Sequence, residues 1–147
     1  MAHSFSQNYV HLVFSTKDHR KIIAKDWRPR LWAYLAGICK NYEMISLEIG
    51  GADDHVHLLL CLPPTLALAK AVLVLKSNSS KWMGEQGIRF SWQEGYGAFS
   101  VSSSNLDQVR RYIENQEAHH RKTSFEEEFR ALLRKHSVEY DPKFVFG

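Results

Sequence analysis

Four side chains in this sequence have types and spacings suited to a single reaction centre. His55 and His57 lie one residue apart in the run Asp54-His55-Val56-His57-Leu58-Leu59-Leu60, whose apolar character predicts a strand. Side chains on a strand alternate faces, so both imidazoles project the same way while Val56 enters the opposite layer. Two imidazoles side by side can hold one metal ion. Tyr112 and Gln116 stand four apart in a helical stretch, which places a phenol and an amide on one helix face. Metal ligands, a phenol and a basic chain together suggest metal-assisted cutting of a nucleic-acid strand.

Each residue also has a plainer reading. A His-x-His pair on a half-buried sheet can simply be hydrogen-bonded there. Asp53 and Asp54 lead into the strand, and the apolar residues on its far side fix its register, since a slip of one residue would turn both imidazoles into the core. Tyr112 lies beside the packing stripe Leu106, Val109 and Ile113, about 100° round the helix from Ile113. A free phenol, with a pKa near ~10, is a weak nucleophile at neutral pH without cationic surroundings. Arg110 and Arg111 precede it and His119, His120, Arg121 and Lys122 follow. The amide oxygen of Gln116 with two imidazoles suits a magnesium- or manganese-type site open to phosphate oxygens. A competing set uses His120, four residues after Gln116, as a third imidazole for a zinc hydrolase. A plain hydrolase has no use for Tyr112 at this position.

The elements that must position these residues follow from periodicity. Asn8 to Thr16 alternates as a first strand. Leu31, Tyr34, Leu35, Ile38, Cys39 and Tyr42 form an amphipathic stripe, with Asp26 as the expected cap. Met44 to Ile49 and His55 to Leu62 read as strands joined by the turn-forming Gly50 to Asp54. Pro63-Pro64-Thr65 opens a second helix from Leu66 to about Gln86. A further strand or broken pair is expected around Phe90 to Trp92 and Ala98 to Ser102. Ser104 with Asp107 resembles a capping box for a helix to about His119, and Ser124 with Glu127 repeats it for a helix striped by Phe125, Phe129, Leu132 and Leu133. The order β-α-β-β-α-β followed by helices predicts an α+β, split-βαβ (ferredoxin-like) antiparallel sheet, with helices packed on one face plus C-terminal helices.

Size and composition narrow the classes. The 147 residues, 44% of them hydrophobic, fit one domain spanning 1–147 with its own core. No apolar run approaches the ~18–20 residues needed to cross a bilayer, and no export leader is visible, so a cytoplasmic protein is expected. Cys39 and Cys61 are isolated, which favours two buried thiols over a disulfide or thiolate zinc site. Nineteen basic residues oppose 16 acidic ones. Lys17, Arg20, Lys21, Lys76, Lys81, Arg110 and Arg111 are candidates to line a DNA groove, whose binding would be salt-sensitive. Trp27, Trp82, Trp92 and Tyr96 are either base-stacking platforms or, by default, core.

The first strand into Ser15-Thr16-Lys17, the block Asp54 to Leu59, the helix with Lys76-Ser77-x-Ser79-Ser80, the segment Gly95-Tyr96-Gly97-Ala98-Phe99-Ser100-Val101 and Tyr112-Ile113-Glu114-Asn115-Gln116 occur in a telling order. In that order the chain resembles the HUH-superfamily single-tyrosine transposases of bacterial insertion sequences, the IS200/IS605 group and its repeat-associated relatives. The resemblance implies His55 and His57 as metal ligands, Tyr112 as nucleophile and Gln116 as third ligand, with Mg2+ or Mn2+ as the divalent ion. It implies a homodimer whose active sites are shared between subunits, acting on single-stranded DNA with hairpins at element ends through a 5′-phosphotyrosine intermediate. Lys17, Arg20, Lys76, Lys81, Arg110 and Arg111 are the expected DNA contacts. The alternative is a domesticated, non-cleaving DNA-binding or regulatory protein of the same fold. A replication-initiation or relaxase-type endonuclease fits less well, since those chains tend to be longer. The acidic last helix and the tail Asp141 to Phe146 carry no assigned role, beyond docking on a partner or capping the chain's own sheet.

Overall fold

The alternation in the first and third strands builds a sheet with two unlike faces. In the computed structural model, which describes residues 5–143 and 145–146, β1 (Asn8–Ser15), β2 (Ile45–Gly51), β3 (His55–Leu62) and β4 (Gly97–Ser100) form one sheet in the order β2-β3-β1-β4. All three pairings are antiparallel. With α1 (Arg28–Asn41) between β1 and β2 and α2 (Leu68–Glu85) between β3 and β4, this is the expected split-βαβ arrangement.

Val10, Leu12 and Phe14 of β1 and Val56, Leu58, Leu60 and Leu62 of β3 face α1 and α2, meeting Leu31, Leu35, Ile38, Leu75 and Met83 in the larger core. The C-terminal helices, α3 (Leu106–Glu114), α4 (Gln116–His119) and α5 (Phe125–Lys135), serve the opposite face. There Val13 and Phe99 pack against Phe125, Phe129, Leu132 and Leu133 in a second core. His11, His55 and His57 lie on this second face, all buried.

Several local expectations are corrected. Asp26 does not cap α1; its N-cap is Trp27, without a side-chain bond, and Pro29 sits in the first turn, where a missing N–H costs nothing. Ser104 and Asp107 form no capping box, because a 3-10 turn over Ser103–Asn105 intervenes and Ser104 bonds Ser102 instead, Oγ to Oγ at 3.0 Å. The helix expected to run to His119 breaks at Asn115, a residue type whose side chain competes with helical bonding. Of the Phe90–Trp92 strand only an isolated bridge between Thr16 and Trp92 forms. The second capping box is real: Ser124 Oγ accepts from the Glu127 N–H at 3.2 Å and starts α5. In the tail, Val145 and Phe146 pack on the second core, while Phe144 lies outside the described residues.

Gly50 shows why a particular side chain is missing from β2. A Cβ there would lie 2.7 Å from the Ile113 carbonyl oxygen, so only glycine lets α3 land this close to the sheet. That contact sets the height of Tyr112, the neighbour of Ile113. Trp27 and Trp82 line the larger core, with Trp82 stacked on Tyr34 at 4.5 Å. Trp92 is buried and donates to Ser79 Oγ at 2.9 Å. The three tryptophans are packing residues, and of the four aromatics considered for stacking Tyr96 alone is exposed. Both cysteines are free, but of the two thiols expected to be buried only Cys39 is; Cys61 is half-buried. Burial pushes the Cys39 thiol up to about 12. Among the described residues no helix is long and apolar enough to cross a membrane.

Candidate active site

β3 presents His55 and His57 on the face that α3, α4 and α5 cover, as the strand period demands. Their ring centroids are 5.1 Å apart. From α3 comes Tyr112, whose ring lies 5.7 Å from that of His57. Gln116, at the start of α4, is buried, and its Oε1 is 2.8 Å from His55 Nε2. The four residues singled out by type and spacing therefore converge, within one chain.

At the centre stands a side chain with no place in that set. Glu128 of α5 is buried and sends its carboxylate among the imidazoles. Its Oε1 lies 2.9 Å from His120 Nε2, 3.1 Å from His57 Nε2 and 3.5 Å from His55 Nε2. Its Oε2 accepts from the Tyr112 hydroxyl, and from Gln116 Nε2 at 2.9 Å. Sequence reasoning missed it, although a signal existed. Glu128 is three residues past Phe125 and four before Leu132, in the middle of an apolar stripe, where a carboxylate needs partners.

A second ring of contacts orients the imidazoles. Asp54 Oδ1 is 2.7 Å from His55 Nδ1, and His11 Nε2 is 2.7 Å from His57 Nδ1. Backing of this kind fixes the tautomer and rotation of a metal-binding histidine. His11 was also missed, because its meeting with His57 depends on the β1–β3 register rather than on spacing along the chain.

Electrostatics follow from burial. Desolvation is the largest influence on His57 and brings its pKa down to about 4, so this imidazole is neutral at physiological pH; Glu128 pulls the other way without winning. His11 is likewise depressed by burial and by His57. Burial would raise the Glu128 carboxyl, but hydrogen bonds from His120 and His57 outweigh it and hold it well below the usual carboxylate range. Burial, then the Glu128 charge, pushes Tyr112 above the ordinary phenol value. The phenol is thus not self-activating.

The arrangement fits a divalent cation. His55, His57, His120 and Glu128 each offer a ligand atom, all within 4.8 Å of one another and largely shielded from solvent. Imidazole nitrogen and carboxylate oxygen are ordinary donors for such ions.

The candidate DNA contacts are scattered. Lys17 and Arg20 lie exposed around the turn after β1, Lys81 lies exposed on α2, and Arg110 and Arg111 are exposed on α3 beside Tyr112. Lys76 is different: its Nζ donates to the carbonyls of Gln93, Glu94 and Gly95 at 2.8, 3.1 and 2.7 Å. Desolvation brings its pKa down to about 8. Its hydrogens hold the loop before β4.

Comparison with known proteins settles the family. The sequence pattern of the family described as "Transposase IS200 like" matches residues 4–116. The chain belongs to this family. Among its relatives, the transposase for insertion sequence element IS200 of Salmonella typhimurium is 27% identical over 124 residues, covering 79% of this chain and 81% of the relative. The ISDra2 transposase TnpA of Deinococcus radiodurans is 27% identical over 121 residues, covering 72% and 81%. In fold, this transposase is similar to a crystal structure of a candidate transposase from Deinococcus radiodurans, with TM-score 0.64, 23% identity and coverage of 79% and 95%. It is also similar to a REP-associated tyrosine transposase bound to a REP hairpin, with TM-score 0.61, 11% identity and coverage of 82% and 73%. The family match ends at Gln116, so His120 and Glu128 lie beyond it.

Proposed function

We propose that this transposase cuts and rejoins single-stranded DNA at element ends, with Tyr112 as the nucleophile. One observation carries the reading: the Tyr112 hydroxyl lies inside a buried imidazole cluster, hydrogen-bonded to Glu128 and one side chain from His57. A packing tyrosine has no need of that company.

In the proposed reaction the Tyr112 oxygen forms a bond to phosphorus as the P–O3′ bond breaks. The product is a 5′-phosphotyrosine link and a 3′-hydroxyl, which takes up a proton in place of the one Tyr112 loses. The hydrogen bond to Glu128 orients the phenol oxygen. A 3′-hydroxyl of another strand end reverses the step and joins new partners. Because the covalent link conserves the bond, no nucleotide cofactor is required. His55 and His57, with Gln116, would hold a divalent ion, Mg2+ or Mn2+, whose charge would offset that developing on the phosphate oxygens. Arg110 and Arg111, on the helix of Tyr112, and Lys17, Arg20 and Lys81 would meet the phosphate backbone, with Lys76 acting through its loop. A hairpin is the proposed DNA form, as in the related structure bound to a REP hairpin.

Sharing of active sites in a homodimer is the second part of the proposal. Since one chain already brings Tyr112 to its own histidines, sharing requires α3 to pass between two chains. The test of the chemistry is incubation with labelled single-stranded hairpins and Mn2+. A denaturant-resistant protein–DNA band is expected from the native protein and none from Tyr112→Phe, with hairpin binding kept within about threefold. Equal adduct from the variant would remove Tyr112 from the reaction. Binding without adduct in the native protein would leave a DNA-binding protein only.

A further inference from the structure

Glu128 brings one carboxylate into a ring of imidazoles, with two hydrogen-bond partners on each oxygen. Three imidazole Nε2 atoms lie within 3.5 Å of Oε1; those of His57 and His120 bond it, and that of His55 is paired with Gln116 Oε1 at 2.8 Å. The Tyr112 hydroxyl, Gln116 Nε2 and, at 3.5 Å, His119 Nε2 crowd Oε2. On the other side, the Nδ1 atoms of His55 and His57 are already engaged by Asp54 and His11. Three nitrogens and one carboxylate oxygen therefore point at each other across a space shielded from water. Without an ion, hydrogen bonds hold them together. A cation would accept all four lone pairs together.

We propose that Glu128 and His120 are metal ligands alongside His55 and His57, so that α5 supplies part of the cation site. This rests on the metal-dependent reading above and deepens it, because the family pattern ends at Gln116, before both residues. The two carboxylate oxygens divide the work: Oε1 turns to the cation, and Oε2 keeps the hydroxyl of Tyr112. Gln116 Oε1, 2.8 Å from His55 Nε2, would face the same cation, while its Nε2 donates to Glu128. A mixed set of imidazoles and a carboxylate favours a first-row ion such as Mn2+ or Zn2+ over Mg2+, which prefers oxygen ligands and retained waters. The geometry also links α5 to the histidine sheet through the ion.

The test is Mn2+ binding to the full chain, stripped with chelator and titrated by calorimetry without DNA. Native protein is expected to bind one ion. Glu128→Gln and His120→Ala are each expected to weaken it at least about tenfold, the lower range for disturbing a metal site. Urea unfolding in chelator checks that each variant folds. Should Glu128→Gln fail that check, Co2+ absorption of the native protein and His120→Asn decides instead. Intense visible bands of a four-ligand site, weakened in the variant, support the assignment. Unchanged or tighter Mn2+ binding by Glu128→Gln would overturn it and make the carboxylate a plug that the ion displaces. If His57→Ala abolishes binding while both new variants bind normally, the assignment fails but the metal-dependent reading stands. No Mn2+ binding by native protein would overturn both.

Discussion

Consider the metal-stripped protein brought from neutral pH to pH 5. In the unfolded chain His57 titrates near ~6.5, an ordinary histidine; in the folded protein its fully buried ring takes a proton only near about 4. On acidification the unfolded state therefore binds its proton first, and stability must fall as pH drops through this interval. At about 1.4 kcal/mol per unit, the interval from 6.5 to about 4 contributes about 3 kcal/mol, of which about 2 kcal/mol is gone by pH 5. His11, shifted the same way, adds to the loss. Glu128 joins only at lower pH, since its carboxylate is ionised in both states until the unfolded chain nears 4.5. Against a typical domain stability of about 5–15 kcal/mol the effect is large. Urea unfolding in chelator, followed by the fluorescence of buried Trp92, reads it directly. The His57→Gln variant should lose up to about 1.4 kcal/mol per pH unit of the slope, because one titrating group has gone. Native stability that stays level between pH 6.5 and 5 would refute a neutral, desolvated imidazole at this position, and with it the pocket as described.

Three further expectations use other parts of the frame. Gly50→Val should push α3 off β2, because even a Cβ would meet the Ile113 carbonyl at 2.7 Å; adduct formation is expected to fall sharply while stability drops by about 1–3 kcal/mol, and unimpaired adduct would mean that α3 is not docked this way. Lys76→Met should destabilise the fold by about 1–3 kcal/mol, by leaving carbonyls of the 93–95 loop unpaired. A loss of DNA affinity without any change in urea midpoint would show instead that Lys76 serves the DNA. Finally, mixing His57→Ala chains with Tyr112→Phe chains should restore adduct if active sites are shared between subunits. A mixture as inert as its components would confine each site to one chain, as the distances within this chain allow.

Legibility in the sequence followed the range of the interactions involved. A strand period of two sufficed to set His55 and His57 together and Val56 apart, and both placements hold in the sheet. The helical repeat brought Tyr112 and Gln116 to one side, despite the break at Asn115. These are local geometries, dictated by backbone stereochemistry. His11 needed the register that pairs Val13 with His57, a fact about two strands separated by two other elements. Glu128 needed more still: knowledge that α5 closes over the second face of the sheet. Even so, its isolation within an apolar stripe was visible and carried information. A carboxylate among Phe125, Phe129, Leu132 and Leu133 is tolerable only where cations or N–H groups await it. The described chain contains a surplus of such groups in one place, on the histidine face of β3. Matching an unpaired acid on one amphipathic helix with unpaired imidazoles on one strand face brings α5 to the site from the sequence alone. The same matching explains why this helix, outside the family's matched segment, is held against the site by polar contacts as well as by packing.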